Sequence, residues 1–142
     1  MTTSEQLCHI MTAQADLMEA ITQVLGETQA ALLDSDGATL EQCTAREEAL
    51  LHPFHELEKE RLRCVAELRP GGASSKDVLD RLPEGDRATV GTLVNRMQVS
   101  ARKIVEINAL NAVLLSSAQR FVQETLRIIT DDHRRKLVDE RI

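Results

Sequence analysis

KIVEINALNAVLL, residues 103–115, is an amphipathic helix whose apolar face is interrupted twice by asparagine. The stripe it belongs to runs Val90, Leu93, Met97, Ala101, Ile104, Asn108, Asn111, Leu115, Ala118 and Val122. Steps of three and four residues trace one face of an α-helix. A long helix with one apolar face needs partners, because helical segments are marginal in water without tertiary packing. Asn108 and Asn111 sit one turn apart on that face. A buried Asn weakens packing but penalises wrong partners and registers, since an unpaired amide in an apolar contact is costly. Both are therefore candidate polar core residues that set specificity. Either they bond polar stripe positions opposite, such as Gln14, Thr28, Glu47 or Arg61, or the seam is exposed around them.

Upstream lie two stripes that can serve as partners. Leu7, Met11, Gln14, Met18, Ile21, Leu25, Thr28 and Leu32 recur with a period near 3.5, the coiled-coil value. They predict a first helix over about residues 4–34, with Thr3 and Gln6 at capping-box spacing. The run DSDG, residues 34–37, ends it, and Gly37 can take the left-handed conformation of a helix end or tight reversal. Thr39 and Gln42 repeat the capping-box spacing. Leu40, Cys43, Glu47, Leu50, Phe54, Leu57, Arg61, Cys64 and Leu68 then predict a second helix over about residues 39–69. Pro53 removes a backbone donor and crowds the carbonyl four residues back. The stripe keeps its phase across it, so the expectation is a kink near His52, with a break into two helices as the alternative. The short reversal implies an antiparallel helical hairpin.

Between the hairpin and the long helix, residues 70–86 form a linker. Pro70, Gly71 and Gly72 make the main break, Ser74 with Asp77 can cap a short helix, and Val78, Leu79 and Leu82 offer one apolar anchor. Asp86 is a candidate N-cap for a third helix over about residues 87–140. Its last part keeps a thin stripe, Leu126, Ile129, His133 and Leu137, flanked by Asp131–Arg135 and Asp132–Lys136 at helical pair spacing. The fold class is all-α: a single domain over residues 1–142, with the hairpin, a linker holding a short helix, and the long helix in an elongated coiled-coil-like bundle.

Composition narrows the function. The chain carries 17 basic and 23 acidic residues, a net charge of −6, which opposes nucleic acid and anionic membrane surfaces as partners. It has no Trp or Tyr and two Phe, so aliphatic seams must supply the core. Three cysteines without CxxC spacing read as reduced thiols, Cys43 and Cys64 on a helical stripe, which suggests a cytoplasmic protein. The N-terminal residues lack a secretion signal, and no apolar run reaches the ~20 residues of a membrane span.

No catalytic motif emerges. His52 and His55 stand three apart, too few ligands for a zinc site, and read as solvated surface residues. His55-Glu56-Leu57 echoes the phosphoacceptor box of dimeric histidine kinases, yet Lys59 and Glu60 replace the usual Thr or Asn and Pro. Glu56–Lys59, Glu58–Arg61 and Glu60–Arg63 have the spacing of exposed-face ion pairs. With no phosphate loop, triad, metal set or cofactor motif, the residues give no case for an enzyme.

The arrangement resembles the FlgN-like family of flagellar export chaperones. That family has a helical hairpin, a variable linker and a long third helix with a spaced Asn pair, here Asn108 and Asn111. Its second helix typically has heptad-spaced leucines with a Lys-Glu step, Leu-Leu, then an acidic residue and Arg. Leu40, Arg46-Glu47, Leu50-Leu51, Leu57-Glu58 and Arg61-Leu62 take those places, with Cys43 where Leu is usual and Arg46 where Lys is usual. Pro53 departs from the pattern, as does the lack of a C-terminal Tyr where the family has an aromatic associated with docking to the export machinery. The resemblance implies a non-catalytic cytoplasmic chaperone. It would hold hook-associated junction proteins unassembled by binding an amphipathic C-terminal helix of the client. The candidate client-binding residues are Phe121, Val122, Thr125, Leu126, Ile129, His133 and Leu137. The export apparatus and a second copy of the chain are further possible partners. The alternatives are a phosphotransfer or signalling bundle using His55, and a structural coiled-coil dimer.

Overall fold

The computed structural model describes residues 1–69 and 75–141. Four helices follow in order: α1 (Thr3–Leu33), α2 (Gly37–Leu68), α3 (Ser75–Asp80) and α4 (Glu84–Arg141), and the described residues contain no strand. Pro70 to Gly72 and Ser74, expected to break the chain and cap α3, lie outside the described residues.

Each helix start is decided by which side chain satisfies the orphan backbone N–H groups. At α1 it is Thr2 with Glu5, one residue before the expected Thr3–Gln6 pair. The Thr2 hydroxyl accepts from the Glu5 N–H at 3.1 Å, and the Glu5 carboxylate accepts from the Thr2 N–H at 3.3 Å. A carboxylate suits the positive end of the helix dipole better than the Gln6 amide. At the reversal, Ser35 takes the left-handed conformation, φ 54°, and Gly37 is already the first residue of α2. Asp36 is the α2 cap: it accepts from the Thr39 N–H at 3.1 Å and from the Thr39 hydroxyl. Thr39 thus feeds a cap instead of forming one with Gln42. At the third start, α4 begins at Glu84 with Asp86 inside its first turn, so Asp86 is not the cap.

α2 runs as one helix of 32 residues with Pro53 inside it. It is antiparallel to α1: Thr3 bonds Glu67 at 3.0 Å, Gln14 bonds Glu58 at 2.8 Å, and Arg46 pairs with Glu27 at 2.7 Å. α4 packs on α1 as well, and runs parallel to it. Cys8 approaches the Asp86 carbonyl at 3.8 Å, Arg96 bonds Asp16 and Glu19 at 3.0 and 2.9 Å, and Asn111 reaches Leu25 at 3.2 Å.

α1 is therefore the central element. A helix with neighbours on two sides needs a wide apolar arc. Beyond the predicted Leu7, Met11, Ile21 and Leu25, it buries Ile10, Ala15, Val24 and Ala31, while Met18 and Leu32 are half-buried. α2 offers one face only. Cys43 and Cys64 are its fully buried apolar residues, and the rest of its stripe is half-buried.

The seam on α4 corrects the predicted phase. Its covered positions are Val90, Leu93, Met97, Ser100, Ile104, Ile107, Asn111 and Leu114, a strict alternation of three and four. The expected Ala101, Asn108 and Leu115 are exposed. A seam that stays on a parallel partner repeats every 3.5 residues, so positions chosen at a longer average step drift off it.

The linker is stapled by two arginines. Arg81 donates to the Leu68 carbonyl at 2.7 Å, at the end of α2. Arg87 donates to the carbonyls of Leu79, Asp80 and Leu82 at 3.0–3.3 Å. Cations at helix ends suit the exposed carbonyls there. Val78 and Leu82 are buried, Leu82 within the cluster of Leu7, Ile10, Met11, Cys64, Val90 and Leu93, whereas Leu79 is on the surface.

Candidate functional site

Two polar features lie inside the bundle. Gln14 is fully buried, and its amide donates to Glu58 at 2.8 Å. Glu58 also accepts two bonds from Arg61, which hold its carboxyl below the ordinary carboxylate range. Gln14 and Arg61 thus serve the α1–α2 contact and do not reach the α4 asparagines.

The two asparagines part company. Asn111 is buried and donates to the main-chain carbonyl of Leu25, leaving its own carbonyl oxygen without a partner among the described residues. Asn108 is exposed and lines the rim of a groove of about 400 Å³ where α1, α2 and α4 meet. Leu25, Leu32, Leu40 and Leu115 supply its apolar walls, and Thr44 and Glu47 add polar groups. Burial there pushes the Glu47 carboxyl up. Both asparagines line the groove, one from within the packing and one from its edge.

The larger feature is the far half of α4. Past Asn111, Leu114 and Thr125 are half-buried and every other residue through Asp139 is exposed. Phe121 is 71 %, Val122 54 %, Leu126 58 %, Ile129 59 % and Leu137 44 % exposed, with His133 between them in the open. These candidate residues share one helix and one broad face. Ile128, 63 % exposed, belongs with them and was missed. The signal was present: Leu93, Ser100, Ile107, Leu114, Phe121 and Ile128 are spaced by seven. Lys136–Asp132 closes as an exposed ion pair at 3.7 Å, while Asp131 and Arg135 do not pair.

His55 is exposed and touches Phe54 edge-on, and Lys59 pairs with Glu56 beside it at 3.1 Å. Among the described residues no three His, Cys, Asp or Glu side chains cluster to hold a metal, and no helix is long and apolar enough to cross a membrane.

Comparison with known proteins agrees with this architecture. The family described as FlgN protein matches residues 1–137. No curated protein and no solved structure shows significant similarity to the chain. Spanning nearly all of the hairpin, linker and long helix, that match means that the chain belongs to the FlgN family of flagellar export chaperones.

Proposed function

We propose that this chain is a cytoplasmic escort for hook-associated junction proteins, and that it binds an amphipathic C-terminal helix of the client along the far half of α4. The observation that carries this reading is the exposed band of Phe121, Val122, Leu126, Ile129 and Leu137 where α4 extends past the hairpin. Val122, Leu126, Ile129, His133 and Leu137 follow one another at three- and four-residue steps, which suits a facing helix. Burying them contributes ~25 cal/mol per Å² of apolar surface. Ordering a client end that is disordered alone offsets part of this, leaving a reversible complex. Covering the client's apolar face keeps it from assembling early, and no nucleotide is needed.

The test is titration of a purified junction protein with three variants: a chain ending at Thr125, Leu126→Asp and Ile129→Asp. A buried charge facing an apolar helix is costly, so each variant should lose at least about tenfold in affinity. Full affinity in all three would place recognition elsewhere.

A further inference from the structure

The band on α4 has a basic flank. Leu126 and His133 stand seven apart on it, and the residue after each is Arg127 and Arg134. Arg120 lies one heptad earlier and Arg141 one later. In a continuous helix, positions seven apart return to within ~20° of one another and climb ~10.5 Å. Arg120, Arg127 and Arg134 therefore form a column beside the apolar band. The opposite flank, one residue before Leu126 and His133, holds Thr125 and Asp132, and Asp132 is paired with Lys136 at 3.7 Å. Arg120 and Arg134 are exposed and make no ion pair among the described residues, and Arg127 has only a surface contact with Glu124 at 3.4 Å.

Charge across the chain reinforces the contrast. Residues 119–141 hold six basic and five acidic side chains, so 11 basic and 18 acidic ones remain in the rest. The far half of α4 carries +1 and the remainder −7. An acidic partner is repelled by the bundle body and tolerated only along this segment.

We infer that the helix this surface takes has an acidic edge, with carboxylates near every seventh position aligned on Arg120, Arg127 and Arg134. This rests on the proposed use of the α4 band as the client face and adds what sort of client it accepts. The apolar band sets where the helix lies, and the arginine column selects among helices of equal hydrophobicity. Such edge charges act mainly on specificity and on association. A lipid surface would also fill an apolar band beside arginines, but the acidic body of the bundle disfavours anionic headgroups.

The test uses the full chain and two synthetic 21-residue helical peptides of the same composition and the same leucine stripe. One carries Glu at every seventh position along one edge and Lys on its outer face; the other exchanges Glu and Lys. Vesicles of phosphatidylserine form a third arm. Three exposed ion pairs amount to about a tenfold preference for the Glu-edged peptide at low salt, fading as salt is raised. The triple variant R120E/R127E/R134E should reverse the preference, and L126D/I129D should weaken both peptides. Equal binding of both peptides, lost in L126D/I129D, overturns the acidic-edge inference while leaving the face intact. Peptide binding that ignores L126D/I129D refutes the face itself. Binding of neither peptide, or of vesicles alone, overturns the inference as well.

Discussion

Asn111 on α4 donates a hydrogen bond to the main-chain carbonyl of Leu25 on α1, at 3.2 Å. That bond marks the register of two parallel helices. α1 continues only to Leu33, whereas α4 continues to Arg141. At ~1.5 Å per residue, α4 outruns the hairpin by ~33 Å. The exposed band begins where the partner helix stops, so the length mismatch is what leaves these apolar side chains uncovered.

Replacing Asn111 with Leu should leave thermal stability unchanged or raise it. The amide is only half satisfied, since its oxygen has no partner, and a half-satisfied buried polar group is worse than a well-packed apolar one. What should be lost is discrimination of register, read as a change of oligomeric state in sedimentation or as weaker selectivity among clients. Asn108→Leu, at an exposed position, should change melting little. A large loss of stability in Asn111→Leu would show that the amide is worth more than its geometry suggests.

Glu58→Ala should destabilise the chain by about 1–3 kcal/mol, because it strands the fully buried Gln14 amide. The Glu58 carboxyl titrates below its ordinary value, held there first by Arg61. Its contribution is therefore present above ~4.3, the ordinary Glu value, and lost as pH falls through the lowered native value. Acid melting curves of Glu58→Ala should converge with those of the unaltered chain below that window.

Glu47 should behave oppositely. Burial at the groove raises its carboxyl, so the native state binds the proton more tightly than the unfolded chain. Stability is thus greatest at acid pH from this group and falls as pH rises through the ordinary Glu value toward the raised one. Glu47→Gln should stabilise at pH 7 by less than about 1 kcal/mol, given solvent screening, with no gain near pH 3. A gain independent of pH would assign the effect to packing instead.

Thiol labelling should be ordered. Cys43 and Cys64 are each 1 % exposed, whereas Cys8 is half-buried. Burial and the nearby Asp86 raise the Cys8 thiol, so it reacts slowly but first. Mass spectrometry after iodoacetamide should find Cys8 modified in the native protein, and Cys43 and Cys64 only after unfolding.

The hairpin and the long helix were legible because three heptad stripes carry their own period. The central position of α1 was not: Ile10, Val24 and Ala31 widen its arc, yet a single-stripe reading leaves them as ordinary surface apolars. The α4 stripe was read with Asn108 and Leu115 on the seam because four-residue steps are as apolar as three-residue ones there, and only the neighbour helix selects between them. At DSDG, three side chains compete for one cap, and the choice of Asp36 depends on backbone angles that composition does not set. The partner of Asn111 is a main-chain carbonyl, which has no residue-type signature at all. Of the candidate binding face, Val122, Leu126 and Ile129 stood out by spacing, while Ile128 needed the seam's true phase.

The central claim, that the far half of α4 is the recognition surface, is most directly tested by amide hydrogen exchange on the chain with and without a purified junction protein. Free, residues 121–138 should exchange far faster than residues 90–114, because a helix without packing partners opens readily. With the client bound, protection should rise across 121–138 and stay unchanged in α1 and α2. Protection gained along the hairpin, with 121–138 exchanging as in the free chain, would contradict the account.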